Sequence, residues 1–390
     1  MRKLAFLMIF ALAVVSFNSC NDDDDDDGGN GNGFIANPED FQGTLASGDN
    51  VTLDATKTYK LNGKLIVGDG ATLTIPAGTT IEATAVSQTN TQVRYIAVAQ
   101  GGKISVNGTA DKPVIMTSAT KATESWGGLV ICGKAPTNKS DSGTAGAEVS
   151  ELAYGGTETN DNSGSITYLR LEYTGYKYSE TKEFNGLSLF GVGAGTKIDY
   201  VVSYKGGDDG IEFFGGTVKA THLVSIDSGD DGIDFADGWN GSGEFWFALN
   251  SAKSGIEGSN SENNGAATPM TTVTLKNLTI YGMTEKPYYL KEGAGKQNID
   301  NIVIGGLVAT KQQAYFFADN TDNNAAARIT AGEIVVTNAK FGTLAAGQTK
   351  AVTGLTVGES ASATGAGNGV GKPAWLSDAM ASGITFPAAL

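Results

Sequence analysis

An internal repeat of 22 residues constrains this chain more than any other feature of its sequence. Residues 208–213 read Asp-Asp-Gly-Ile-Glu-Phe, and residues 230–235 read Asp-Asp-Gly-Ile-Asp-Phe. The preceding segment repeats at the same offset, because residues 199–203 align with residues 221–225. A period of this length, built from short β-branched runs separated by Gly and Asp, predicts a β-solenoid.

Each repeat is expected to form one coil of the solenoid, and weaker copies flank the strong pair. A glycine that follows a polar residue recurs at positions 186, 210, 232 and 255, with spacings of 24, 22 and 23 residues. We expect this glycine to supply a positive φ that other residues avoid. The Ile or Leu after it is expected to point inward and to stack on its counterpart in the next coil, about 4.8 Å away.

Composition agrees with an all-β chain and limits the classes of partner and site. The chain has 390 residues with 54 Gly and 8 Pro, and its apolar runs are too short and too closely spaced for βαβ units. The formal net charge of −15 becomes −17 when Arg2 and Lys3 leave with the leader, which disfavours nucleic acid and anionic membrane surfaces as partners. Two Cys and one His exclude a disulfide framework and a zinc site built from His and Cys.

The N-terminus has the pattern of an export leader. Residues 1–19 begin with the basic pair Arg2-Lys3, and an apolar stretch follows over residues 4–15. This stretch is too short to favour a transmembrane span. We therefore interpret residues 1–19 as a signal peptide.

The residues that follow the leader carry a family resemblance. Small Ser19 before Cys20 resembles the end of a bacterial lipoprotein leader, although Phe17 stands where Leu is usual. The six Asp residues at 22–27 resemble the acidic export signal of Bacteroidetes surface lipoproteins. The resemblance implies a lipid on Cys20 and an outer-membrane location that faces the cell exterior. The alternative is a solvated acidic linker behind an ordinary secretory leader.

We predict five segments along the chain. They are a lipoprotein signal peptide (1–19), an acylated Cys with an acidic and Gly/Asn tether (20–33), an N-terminal cap (34–50), a parallel β-helix (51–350) and a C-terminal tail and cap (351–390). Within them, residues 134–164 are expected to form a long polar loop, and residues 373–380 a short capping helix.

The repeats also resemble a known architecture. The segment at residues 126–136, Trp-Gly-Gly-Leu-Val-Ile-Cys-Gly-Lys-Ala-Pro, and the Asp-Asp-Gly-Ile repeats are similar to a family of Bacteroidetes β-helix surface lipoproteins without a settled activity. The wider resemblance, over residues 51–350, is to the right-handed parallel β-helix of the pectate-lyase-like fold. It implies an all-β solenoid with short caps, and it implies fold more strongly than function.

The acidic repeat is the first candidate site. If the 22-residue register holds, carboxylates of neighbouring coils stack on one another, and their repulsion is relieved by a cation. Clustered carboxylates suit Ca²⁺, with Asp227 and Asp237 as further ligands. The alternative is that these side chains bond turn amides and face water. The predicted metal ligands are Asp208, Asp209, Glu212, Asp230, Asp231 and Asp234.

A catalytic interpretation uses the same carboxylates. Asp209, Asp230 and Asp231 resemble the acidic motif of polygalacturonase-type glycoside hydrolases, which place carboxylates across the scissile bond. The His and Arg of that family are missing here, and the single His222 is expected to lie on the wall of the solenoid. A calcium-assisted lyase would need a base, for which Lys205 or Lys219 is available.

Binding without catalysis is the third possibility for the site. A long solenoid presents an extended face that suits polymers. Trp239, Trp246, Tyr288 and Tyr289 are candidates to stack on sugar rings, with core packing as the alternative. We therefore expect non-catalytic recognition of a carbohydrate polymer or host surface glycan. The alternatives are a polysaccharide hydrolase or lyase and, third, a structural surface component.

Overall fold

The computed structural model describes residues 33–86, 91–147, 151–180, 182–283, 285–307, 314–318, 323–344, 346–388 and 390. Cys20 and the acidic run lie outside the described residues, so the leader and the lipid anchor stay predictions. The described residues contain one helix, α1 (Asn323–Thr330). None of their helices is long and apolar enough to cross a bilayer.

Short strands account for the rest of the regular structure. The first thirteen are β1 (Phe41–Leu45), β2 (Asn50–Thr52), β3 (Thr58–Val67), β4 (Thr72–Pro76), β5 (Thr80–Ala83), β6 (Tyr95–Val98), β7 (Lys103–Asn107), β8 (Val114–Ser118), β9 (Leu129–Cys132), β10 (Thr144–Gly146), β11 (Ala153–Gly155), β12 (Gly164–Glu172) and β13 (Leu187–Phe190). The others are β14 (Lys197–Tyr204), β15 (Ile211–Phe214), β16 (Lys219–Ile226), β17 (Ile233–Ala236), β18 (Ser242–Leu249), β19 (Ser254–Gly258), β20 (Thr272–Tyr281), β21 (Lys286–Leu290), β22 (Lys296–Gly305), β23 (Ala314–Ala318), β24 (Ile334–Phe341), β25 (Thr349–Ala351) and β26 (Val357–Glu359).

Each strand except β10 and β11 pairs in parallel with the strand one coil away, which confirms the right-handed parallel β-helix. One face consists of β1, the second half of β3, β6, β9, β13, β15, β17, β19, β21, β23 and β25. We call it the short-strand face. The longer strands from β12 to β24 bend and supply the other two faces. Only the β10–β11 hairpin is antiparallel among the named strands.

The 22-residue register is confirmed, and it builds the core. Ile211 pairs with Ile233, and Ile233 pairs with Ile256, so these side chains form an inward ladder that is at most 1 % exposed. Burial of one such side chain contributes about 1.5–3 kcal/mol. Because every coil adds a rung, the core is continuous along the helix axis.

The four recurrent glycines differ from the prediction. Gly186, Gly210, Gly232 and Gly255 do not have a positive φ. A Cβ on Gly210 would lie 2.1 Å from Ser225 Oγ and 2.6 Å from the carbonyl oxygen of Gly232. Glycine is therefore required because neighbouring coils approach one another closely, and not because of backbone conformation.

Positive φ occurs instead at the bend of each long strand. The bend residue has a φ of 50° in Tyr168, 56° in Tyr200, 53° in His222 and 58° in Phe245. Their rings stack along the helix with centroids 4.2, 4.2 and 4.9 Å apart. Asn277 and Asn301 occupy the same bend position in later coils and also have a positive φ. His222 thus belongs to the wall.

Residues 34–50 and residues 373–380 do not form the caps that the sequence predicts. Strand β1 already pairs with β3, so the coils begin at Phe41, inside the segment expected to cap the helix. Residues 373–380 form turns and no helix. Leu376 and Met380 lie on the lateral wall, against Val224 and Phe247. The C-terminal tail therefore covers apolar side chains on the outer wall of the coils, whereas a cap would cover the end of the helix.

Candidate functional site

An open polar cleft of about 510 Å³ lies on the outer side of the short-strand face. Strands β15, β17 and β19 supply its floor, because their outward side chains point away from the core. The cleft is lined by Lys139, Glu183, Gly207, Asp208, Glu212, Phe214, Gly229, Asp230, Asp234, Ala236, Asp237, Lys253, Glu257, Ser259, Glu262, Lys291 and Glu292. Nine carboxylates and three lysines are among these described residues, so the cleft is strongly acidic.

A column of carboxylates runs along the floor of the cleft. Glu212 pairs with Asp234 in the next coil, and Asp234 pairs with Glu257 in the coil after that. The parallel register therefore repeats one acidic side chain per coil, about 4.8 Å apart. The sequence period predicts that Glu212 and Asp234 lie together. Glu257 follows from the same period, although it is not among the predicted metal ligands.

Asp209 and Asp231 have a different role from the column. Asp209 Oδ1 accepts a hydrogen bond from the Asp231 amide at 2.7 Å, and Asp231 Oδ1 accepts one from the Ser254 amide at 2.5 Å. Both side chains are buried, and neither lines the cleft. These two carboxylates accept hydrogen bonds from turn amides, as the structural alternative expects, but they are buried and do not face water as it also expects. Their placement does not favour contact with a substrate.

Asp208 and Asp230 lie at the same turns but face the cleft. Lys253 Nζ lies 2.5 Å from Asp230 Oδ2. The six predicted metal ligands therefore divide into two buried turn residues and four that line the cleft. The structure brings all six into one region of two adjacent coils.

Burial and mutual repulsion make ionisation of the inner carboxyls costly. Burial raises the pKa of Asp209 well above its usual range, and the Asp208, Glu212, Asp231 and Asp234 carboxylates raise it further. Burial and then Glu257 raise the pKa of Asp231 and of Asp234 in the same direction. The nearby Lys291 ammonium opposes this effect at Asp234.

Lysines on the rim compensate part of the negative charge. Lys291 Nζ lies 2.8 Å from Glu257 Oε1 and 3.3 Å from Glu292 Oε1. Burial alone would lower the pKa of Lys291, but Glu257 and Glu292 outweigh it and raise that pKa. On another side of the cleft, Lys139 lies 3.6 Å from Asp237 Oδ2. Burial raises the pKa of Asp237, and Lys139 limits the rise.

The long loop predicted at residues 134–164 contributes to the cleft. It contains the β10–β11 hairpin, and it delivers Lys139 to the rim. Asn138 Nδ2 anchors it by donating to Asn260 Oδ1 at 3.1 Å, and the Tyr154 hydroxyl donates to Asp237 Oδ2 at 3.4 Å. Lys139, Lys291, Glu262 and Glu292 lie outside the repeat, so the repeat gave no signal for them.

The four aromatic candidates for ligand stacking require a correction. Trp239, Trp246 and Tyr288 are fully buried, and Tyr289 is 7 % exposed. The Trp239 ring stacks on Phe213 at 4.4 Å, and the Trp246 indole nitrogen donates to the Ala220 carbonyl at 3.1 Å. The Tyr288 hydroxyl donates to Gln297 Oε1 at 2.7 Å. The prediction that they stack on sugar rings is wrong, because three of these rings are packed inside the protein and the Tyr289 ring is covered by neighbouring side chains.

Tyr289 continues the acidic column and is the only one of the four on an outward position. It pairs with Glu257 one coil away. The Lys286 ammonium lies 3.8 Å from the centre of its ring, and the Phe317 ring lies 5.7 Å away. Its ring is therefore also covered.

The basic groups considered for lyase chemistry lie away from the cleft. Neither Lys205 nor Lys219 lines it. The Lys205 ammonium lies 5.0 Å from the centre of the Tyr204 ring, and Lys219 begins β16 on another face. His222 is part of the aromatic ladder, with Nδ1 2.8 Å from Asp199 Oδ1.

Comparison with known proteins agrees with the architecture. The sequence profile of the family described as pectate-lyase like beta helix domain matches residues 43–380. Searches of curated proteins and of solved structures give no significant match.

Proposed function

Since the chain belongs to the family of pectate-lyase-like β-helix domains, we propose that it is a recognition module that binds a carbohydrate polymer in its acidic cleft without cleaving it. The observation that carries the proposal is the column formed by Glu212, Asp234 and Glu257. A polymer of repeated units that lies along the helix axis meets the same kind of group on each coil.

The chemistry of the cleft selects the class of ligand. Carboxylate oxygens accept hydrogen bonds from hydroxyl groups, and such charge-assisted bonds are stronger than neutral ones. A neutral polysaccharide offers many hydroxyl donors, whereas a polyanion is repelled by the excess of carboxylates. The ligand class is therefore a neutral, hydroxyl-rich glycan, from a host surface or from another organism's polysaccharide.

Non-catalytic binding is also supported by the use of the turn carboxylates. Two of the three residues assigned to hydrolysis are Asp209 and Asp231. Each accepts a hydrogen bond from a backbone amide with one carboxylate oxygen. The third, Asp230, is paired with Lys253. None of the three is placed as a mobile acid or base in the centre of the cleft.

The test is equilibrium binding of the purified protein to a panel of neutral and acidic polysaccharides, with product analysis of the same samples. We expect retention of neutral polymers, intact chains throughout, and at least about fivefold weaker binding by Glu257→Gln. Glu82→Gln is the matched control, because Glu82 is also paired with a lysine, Lys60 at 2.5 Å, but lies outside the cleft. Absence of binding to every neutral polymer, or equal losses in both variants, would refute the proposal.

Hydrolysis of the bound glycan is the second candidate, favoured by one observation. Burial and the Glu257 carboxylate raise the pKa of Asp234, as a general acid requires, while Glu257 next to it is hydrogen-bonded to the Lys291 ammonium. Such a pair can divide the roles of acid and base. New reducing ends that disappear in both Asp234→Asn and Glu257→Gln would establish this function in place of the first.

For the location, we propose a lipid on Cys20 that holds the β-helix on the outer face of the outer membrane. The support is the leader and the acidic run of the sequence. Metabolic labelling with a fatty acid should mark the protein and not its Cys20→Ala variant. Surface protease treatment of intact cells should remove the β-helix, and full protection would contradict the outward orientation.

A further inference from the structure

We propose that a single Ca²⁺ ion binds at the inner side of the cleft between two coils, held by the carboxylates of Asp209, Glu212 and Asp234. This inference concerns the metal alone and does not depend on carbohydrate binding. It narrows the six ligands expected from the sequence to three, and it places the ion beside the column of the cleft floor.

The geometry of the three carboxylates fits one ion. One oxygen from each residue lies within 4.8 Å of the others. Calcium binds oxygen at about 2.3–2.6 Å, so oxygens on opposite sides of the ion lie up to about 5 Å apart. Asp209 comes from the turn before β15, Glu212 from β15 and Asp234 from β17. The register of two neighbouring coils therefore assembles the set.

An unsatisfied buried oxygen points to a ligand at this place. Asp234 is only 8 % exposed, and its Oδ1 is buried with no hydrogen-bond donor among the described residues. A buried carboxylate oxygen without a partner is costly, and native proteins normally pair it or bind a metal there. Asp234 is also the residue that two groups of clustered carboxylates share.

The distribution of positive charge selects between these two groups. The second group consists of Asp231, Asp234 and Glu257, and there Lys291 already lies 2.8 Å from Glu257. The charges that act most strongly on Asp209 are the carboxylates of Asp208, Glu212, Asp231 and Asp234. The Lys253 ammonium also acts on Asp209, but it is paired with Asp230 at 2.5 Å. A cation therefore relieves more repulsion at Asp209, Glu212 and Asp234 than in the group next to Lys291.

The proposed ion can enter from solvent. Glu212 and Asp234 both line the cleft, while Asp209 closes the inner side. Asn185 Nδ2 donates to Glu212 Oε2 at 2.5 Å and orients that carboxylate. Asp209 is likewise fixed by the Asp231 amide. Two of the three ligands are thus held by hydrogen bonds of their own, as in preorganised metal sites.

The experiment is calorimetric titration of Ca²⁺ into metal-free protein, without carbohydrate. We expect saturable binding of about one ion, at least about tenfold weaker in Asp234→Asn and in Glu212→Gln. Glu262→Gln is the matched control, since Glu262 carries the same charge on the rim of the cleft and is 71 % exposed. Its affinity should stay within about twofold of the native value.

Thermal unfolding of each variant shows whether it folds and gives a second readout. Ca²⁺ should raise the unfolding temperature of the native protein and of Glu262→Gln, but not that of Asp234→Asn. Three results would overturn the proposal: no binding at millimolar Ca²⁺, unchanged affinity in folded Asp234→Asn, or an equal loss in Glu262→Gln. Because glycan is absent from every sample, failure here leaves carbohydrate recognition a separate question.

Discussion

Asp209 and Asp231 are linked by a hydrogen bond in which the carboxylate of one coil accepts the backbone amide of the equivalent residue in the next coil, at 2.7 Å. Asp231 repeats the contact with Ser254 at 2.5 Å. The repeated aspartate therefore ties three consecutive turns together. The recurrence of Asp at positions 209 and 231 therefore has a structural cause, whatever ion or glycan the cleft holds.

Asp209→Ala is expected to destabilise the fold, because it leaves the Asp231 amide buried without an acceptor. The free energy of unfolding should fall by about 1–3 kcal/mol. Asp209→Asn keeps an acceptor oxygen and removes a repelled charge, so it should be neutral or stabilising in metal-free buffer. Urea unfolding measures both. Equal losses in the two variants would show that the carboxylate charge, and not the acceptor, matters.

Trp239→Ala should lower stability through the core and not through ligand contact. Trp239 is fully buried against Phe213, and removal of a buried Trp typically costs about 3–5 kcal/mol. Trp239→Phe should recover much of the loss. Denaturant unfolding, followed by glycan binding under conditions where both variants are folded, tests this. A selective loss of glycan binding in a stable variant would restore the stacking role.

The repeat predicted the fold and the stacking of carboxylates, since a constant period fixes which residues meet in neighbouring coils. Ile211 and Ile233 pair as the period requires. The burial of Trp246 could not be predicted from a simple alternation of inward and outward residues along the strand, because β18 bends at Phe245, whose φ is 58°. The bend changes the phase of inward and outward positions within the strand. Core and surface aromatics are therefore indistinguishable from the sequence pattern there.

Two of the three cleft lysines, Lys139 and Lys291, could not be predicted from the repeat for a different reason. Lys139 enters from the long loop, and Lys291 follows β21 outside the Asp-Asp-Gly-Ile repeat. Neither lysine has a charged counterpart one period earlier in the chain. Glu257 does have one, since it lies 23 residues after Asp234 and pairs with it. The period thus predicts the floor of the cleft, whereas its rim depends on how individual loops pack.

Lys291→Met should destabilise the protein, because Glu257, whose side chain is 8 % exposed, loses its counter-charge at 2.8 Å. We expect a loss of about 1–3 kcal/mol, less than for a fully buried pair because Lys291 is 39 % exposed. The double variant Lys291→Met/Glu257→Gln should recover most of it. Denaturant unfolding of the single and double variants measures the coupling.

The control for this prediction is an ion pair of the same type on the surface. Lys350 and Glu359 lie 2.6 Å apart with side chains that are 43 % and 51 % exposed. Lys350→Met should change stability by less than about 0.5 kcal/mol. A loss as large as that of Lys291→Met would mean that removal of any lysine, and not burial of Glu257, explains the effect.

The pair of Asp199 and His222 should make stability depend on pH in acid. Burial of Asp199 opposes its ionisation, but hydrogen bonds from His222 and Thr221 outweigh burial and lower the pKa of Asp199. A carboxyl whose pKa is lower in the folded state stabilises the fold above its unfolded pKa of about 3.9. This contribution is lost as the pH falls from the unfolded pKa through the folded pKa, because the unfolded state binds more protons in that window. The loss is complete below the folded pKa, where both states are protonated.

Asp199→Asn removes this titration, so its stability should decline less than that of the native protein between pH 5 and pH 3. The difference should stay below about 1 kcal/mol, because the pair is partly exposed. Urea midpoints across that range measure it, with Asp111→Asn, at an exposed turn, as the control that follows the native curve. Parallel curves for the native protein and Asp199→Asn would show that the contact to His222 does not favour the charged carboxylate.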